Sequence, residues 1–143
     1  MRKVTIYIGG NYCSEGNIHT GGWTAIMKFG HREKKLSGGM VLNTLLDMDL
    51  QSLLVPLFQM KELCALEIHT DNSNLLDLVN GDVIPAQYQV EQFNVLKNTF
   101  QAFESVTVKL MMGSQYIREC RETSKIEAEK EMKQLLDNLA VGV

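Results

Sequence analysis

The sequence predicts an α/β domain on a mixed five-stranded sheet, three antiparallel strands followed by two parallel ones, flanked by helices. Three observations predict it. Residues 3–8 and 23–29 alternate β-branched and aromatic side chains on either side of a glycine-punctuated segment. From residue 43 the apolar period lengthens from two to three and four. Two later apolar runs, 63–70 and 106–112, have a helical pattern between them, and a helix crossover joins parallel neighbours.

Taken in order, residues 3–8 read as the first strand. Gly9, Gly10, Gly16, Gly21 and Gly22 read as a loop before the second strand at 23–29. The charged run 32–39, ending in Gly38-Gly39, reads as an edge or solvent-facing third strand. Leu46, Leu50, Leu53, Leu54, Leu57 and Met60 form one helical stripe, with Thr44 and Asp47 as its capping box. Pro56 lies inside that stripe, where a missing donor costs about 3 kcal/mol, so a kink or early stop is expected there. Residues 63–70 read as a buried strand, and Asp71-Asn72-Ser73 as the cap of a short helix over 74–80. A helix over 89–103, a strand over 106–112 and a charged helix over 124–139 complete the chain. The last carries Ile126, Met132, Leu135, Leu136 and Leu139 as its apolar side.

The 143 residues are one domain's length, so residues 1–143 are read as a single unit. Hydrophobic residues at 45% and charged residues at 22% exclude a disordered or fibrous chain. A net charge of −3 offers no global attraction for a polyanion, so nucleic-acid contact must rest on a local patch. Cys13, Cys64 and Cys120 stand far apart, which fits neither a zinc site nor a disulfide framework and suggests a reducing, cytoplasmic location. The N-terminal run alternates and meets Gly9-Gly10, unlike a signal peptide, and no stretch approaches the roughly 18 apolar residues of a membrane span, so no membrane partner is expected. His19, His31 and His69 have no partner at metal-ligand spacing. Cys13 has no evident base, and the eight methionines read as core filler.

Several strings share an order with one another: Val4-Thr5-Ile6-Tyr7 before the glycines, Gly21-Gly22-Trp23-Thr24-Ala25-Ile26, Leu36-Ser37-Gly38-Gly39, Met48-Asp49-Leu50, and Ile68-His69-Thr70-Asp71-Asn72. In that order, over residues 4–136, they resemble the type 1 ribonuclease H family and imply the ribonuclease H-like fold. Met48-Asp49-Leu50 is similar to the family's Met-Glu-Leu on its first helix, and Ile68-His69-Thr70-Asp71-Asn72 to its Tyr-Thr-Asp-Ser strand end. The resemblance implies cleavage of the RNA strand of an RNA/DNA hybrid by two magnesium ions, about 4 Å apart, held among four carboxylates.

Against that pattern the family's Thr-Asp-Gly-Ser string reads Ile8-Gly9-Gly10-Asn11, so Gly9 stands where the resemblance puts the first metal-binding aspartate. The second and third carboxylates match as Asp49 and Asp71, and rough alignment gives Glu129 as the fourth, with Glu127 as its rival. The family's histidine loop reads Gly113-Ser114-Gln115-Tyr116-Ile117, and no histidine follows His69. Leu45-Leu46-Asp47 replaces the family's Asn-Asn-Arg, and Ser73 replaces its glutamine, leaving Asn17 as the surviving nucleic-acid contact. From residue 81 to 103 the only basic residue is Lys97, and the remaining basic clusters, around Arg32 and around Lys130, are interleaved with glutamate. Each candidate also has a plain structural role. Asp71 reads as an N-cap worth about 1 kcal/mol, and Glu129 as an i,i+4 partner of Lys133.

The expectation is therefore a catalytically inactive ribonuclease H-like domain that binds or scaffolds a protein partner, a second copy of itself or nucleic acid, and needs no cofactor. The alternative is a weakly active, Mg- or Mn-dependent ribonuclease H in which Asp49 and Asp71 hold metal and Glu129 assists.

Overall fold

A computed structural model describes residues 2–60 and 63–141 of the chain; Met1, at the head of the N-terminal run, lies outside them. Three long strands come first: β1 (Lys3–Glu15), β2 (Ile18–Phe29) and β3 (Arg32–Val41). Then follow α1 (Leu45–Phe58), β4 (Ala65–Thr70), α2 (Ser73–Asn80), a single 3₁₀ turn (Gln87–Gln89), α3 (Val90–Ala102), β5 (Ser105–Leu110) and α4 (Gln115–Val141). The sheet order is β3-β2-β1-β4-β5; β1–β2 and β2–β3 pair antiparallel, while β1–β4 and β4–β5 pair parallel. This is the expected mixed sheet, and the charged strand β3 lies at its edge.

The glycine-rich segment departs from expectation. Instead of a loop, residues 9–15 and 18–22 continue the β1–β2 ladder, with Gly10 opposite Trp23 and Cys13 opposite Thr20. Only Gly16 and Asn17 make the turn, Gly16 with a φ of +59°. The glycines inside the ladder serve the helix above them. A Cβ on Gly22 would sit 1.9 Å from the Ser124 carbonyl oxygen, and one on Gly39 2.8 Å from the Glu127 carbonyl oxygen. α4 therefore lies almost on the sheet backbone.

α4 is also longer than expected, beginning nine residues before Ser124. Its buried face is Ile117, Cys120, Ser124, Ala128 and Met132, mostly small residues, whereas Ile126 and Leu139 are exposed. Of the expected stripe, Met132 is buried and Leu135 and Leu136 are half-buried; directly over the strand glycines the contact is made by the small residues Cys120, Ser124 and Ala128.

The opposite face of the sheet is an ordinary apolar core. Ile6, Ile8, Leu66 and Ile68 meet Leu50, Leu53, Leu54 and Leu57 of α1 and Leu75 of α2, each contributing about 1.5–3 kcal/mol by burial. The Asp47 carboxylate accepts the Thr44 N–H at 3.1 Å, closing the expected capping interaction. Pro56 falls in the last turn, so α1 ends at Phe58 without an early stop. α2 is capped by Asn72, whose side chain accepts the Asn74 N–H at 3.0 Å; this replaces Asp71 as its cap. No helix among the described residues is long and apolar enough to cross a membrane.

Candidate active site

Parallel pairing sets Ile8 of β1 beside Thr70 of β4, so Asp71-Asn72 leave the end of β4 next to Gly9-Gly10, where β1 runs on paired with β2. α1 brings Asp49 to this end. Asp49 is buried, and the Asn72 side-chain amide donates to its Oδ1 at 3.0 Å. Burial pushes its carboxyl up to about 6, against the opposing pull of that hydrogen bond.

Asp71 has a different neighbour. The Arg121 guanidinium on α4 donates from Nη2 to Asp71 Oδ1 at 2.7 Å and from Nε to Oδ2 at 2.5 Å, a two-pronged pair. Its Nη1 also donates to the Gly10 carbonyl oxygen at 3.1 Å. One side chain thus ties the middle of β1 to the end of β4. The seat of α4 fixes this placement: Ser124 Oγ donates to the Gly9 carbonyl oxygen at 3.0 Å and lies 2.8 Å from Thr24 Oγ1, while Cys120 Sγ lies 3.5 Å from the Tyr7 carbonyl oxygen. Burial pushes the Cys120 thiol up to about 12, so it stays a packed, protonated group.

Of the expected site residues, the fold brings Asp49 and Asp71 to one end of the sheet and leaves the others elsewhere. Glu129 is exposed eight residues beyond Arg121, about 12 Å along α4. Glu127, its rival, sits by Gly39 of β3, under the far part of the helix. Asn17 is in the β1–β2 turn, roughly 20 Å of strand from Gly10. The segment expected as a loop is short: Gln115, Tyr116 and Ile117 already belong to α4, and the Tyr116 ring stacks on Tyr7 at 4.5 Å.

Arg121 was not singled out by sequence reasoning. The signal for it was the four-residue spacing of Cys120, Ser124 and Ala128 opposite the strand glycines, which fixes the residue that overhangs Gly10 of β1.

Two divalent ions need bridging and surrounding anions to offset their mutual repulsion. The position that the resemblance gives to the bridging carboxylate is Gly9, where even a Cβ would come 2.8 Å from Cys120 Cβ. Asp71 is neutralised by a guanidinium, and Asp49 favours its protonated form up to about pH 6. Among the described residues no three His, Cys, Asp or Glu side chains are grouped to hold a metal ion. The side chains present do not fit a two-metal centre.

No family model matches the chain. Curated relatives do. It is 27% identical over 144 residues to a Ribonuclease HI of Helicobacter pylori, covering 93% of this chain and 98% of that one. It is 40% identical over 78 residues to a Ribonuclease H of Bradyrhizobium diazoefficiens, covering 54% and 49%. The chain spans about half the length of the first curated relatives it matches. Among solved structures, it superposes on LC9-RNase H1, a type 1 RNase H with the type 2 active-site motif, with a TM-score of 0.72 at 11% identity over 91% of this chain and 74% of that one. The strand order, the parallel β1–β4 register and these comparisons agree: the chain has the ribonuclease H-like fold and is similar in sequence to curated ribonucleases H.

Proposed function

We propose that this chain is a binding module of the ribonuclease H-like family that does not cleave a phosphodiester. The observation that carries this reading is the Asp71–Arg121 pair, in which a fixed guanidinium takes up the carboxylate that a divalent ion would need. Gly9 and the buried, proton-retaining Asp49 support the same reading. Releasing Asp71 for metal would leave Arg121 beside the incoming cation, a like-charge contact that opposes binding.

A second reading has its own support. The relatives bear the name ribonuclease H, and on the comparisons alone metal-dependent hydrolysis of the RNA strand of a hybrid is the better-backed function. In that case Asp49 and Asp71 would carry the metal, with Arg121 displaced.

An RNA/DNA hybrid incubated with the chain in magnesium and in manganese separates the two. The binding reading expects no product above the protein-free blank in either metal. Product that disappears in Asp71→Asn would overturn it and establish the second reading.

A further inference from the structure

A cavity of about 310 Å³ opens beside the Asp71–Arg121 pair. Arg118, Arg121 and Lys125 line it, one turn of α4 apart and so on one face of the helix. Asn11 of β1 and Ser114 close its sides. The Ser114 carbonyl accepts the first helical hydrogen bond, from Arg118 N at 3.0 Å, so the positive end of a 27-residue helix forms part of the wall. Two carboxylates face these three cations. Asp71 is already paired with Arg121, and Glu122 stands between Arg118 and Lys125. Arg118 and Lys125 are exposed and make no ion pair among the described residues. In a chain of net charge −3, this cluster has an unbalanced positive charge aimed into a hollow.

We infer that this cavity holds a phosphodiester group of a nucleic-acid strand directly on Arg118 and Lys125, without a metal ion, so that fixed cationic side chains replace divalent ions at this end of the sheet. The inference rests on the non-cleaving reading above and names its partner. A forked guanidinium, an ammonium and an amide suit a tetrahedral anion carrying several acceptor oxygens.

The far side of Arg121 argues for a nucleic acid over an acidic peptide. A second hollow of about 150 Å³ there is lined by Asn72, Asn74 and Tyr12, a residue 59% exposed, with the buried Asp49 at its floor beside Asn72. The Asn72 amide is engaged by Asp49 and the Asn74 N–H, so the Asn74 amide supplies the donors and acceptor that a base edge needs, and the exposed Tyr12 supplies a stacking surface. Arg121 borders both hollows, so a strand crossing it would set its phosphate on one side and its base on the other.

The test is fluorescence anisotropy of the full chain with a labelled RNA/DNA hybrid, titrated over a range of salt in magnesium and again in EDTA. Binding is expected to be as tight in EDTA as in magnesium. Arg118→Ala and Lys125→Ala should each weaken it about tenfold at low salt and reduce the slope of log affinity against log salt by about one. Lys130→Ala, beyond the cavity on the same helix, should change neither. Both cavity side chains are exposed, so the variants should fold, which circular dichroism checks.

Affinity and slope unchanged in the two cavity variants would overturn the inference, as would binding that requires magnesium. So would inorganic phosphate shifting the amide resonances of residues 113–118 while the hybrid fails to bind. Cleavage of the hybrid would instead sink the non-cleaving function and leave the salt slopes to stand or fall separately.

Discussion

Asp49 is a carboxylate placed where water hardly reaches it, and its ionisation is opposed by that burial. Its carboxyl rises from an ordinary 3.8 to about 6, so the folded chain holds a proton that the unfolded chain has released between those values. Stability therefore falls as pH rises from about 3.8 to 6 and stays reduced above, by about 3 kcal/mol at most. Asp49→Asn keeps an oxygen to accept from Asn72 and cannot ionise. It should raise the unfolding free energy at pH 7 by about 1–3 kcal/mol and leave it nearly unchanged at pH 3.5; equal gains at both values in urea titrations would show that burial does not penalise the charge. Arg121 is the complementary case. Its side chain is 44% exposed, so solvent screens its pair with Asp71. Arg121→Ala should cost only about 1 kcal/mol, and a double-mutant cycle with Asp71→Asn measures the coupling directly.

At the scale of elements, the contact between α4 and the sheet is the least forgiving feature of the fold. Gly22→Ala must lift α4 off β2, since the added carbon would lie 1.9 Å from the Ser124 carbonyl oxygen. It should lose about 3 kcal/mol or more in chemical unfolding. Gly16→Ala meets nothing within 4 Å and carries only the strain of its φ of +59°, about 1 kcal/mol. Similar losses in the two variants would mean that the helix is not seated on the glycine track. The same seat makes Gly9→Asp a poor way to introduce an acid: its Cβ must first displace Cys120.

At the scale of the whole molecule, two carboxylates on different layers act in opposite senses. The Lys109 and Lys3 ammonium groups, with His69, hold Glu67 down to about 2 from an ordinary 4.5. That contribution is complete above about 4.5 and is lost as pH falls towards 2. The Asp49 penalty sets in on the other side, as pH rises above about 3.8. The two together place the stability maximum near pH 4, on the acid side of neutrality. Thermal unfolding across pH 2–8 should show its highest midpoint there, and a maximum at pH 7 or above would mean that neither group dominates.

Local pattern determined the order of elements, the antiparallel opening strands and the parallel pair, the capped α1 and an edge or solvent-facing β3, because these follow from alternation, capping residues, charge and how a helix must connect parallel strands. Through the resemblance, the strings around Asp49 and Asp71 also pointed to the end of β4 where the candidate site lies. What the linear pattern left open was which residue of α4 overhangs that end. A helix of alternating charge offers several registers, and the large apolar residues do not choose among them: Met132 is on the buried face, whereas Ile126 and Leu139 are exposed. Only the close approach of Cys120, Ser124 and Ala128 to bare glycine backbone selects one register, and with it puts Arg121 on Asp71 and leaves Glu129 about two turns away in solvent. Steric fit between strands and a helix a hundred residues apart in the chain decided the charge at the site, and no local pattern carries that information.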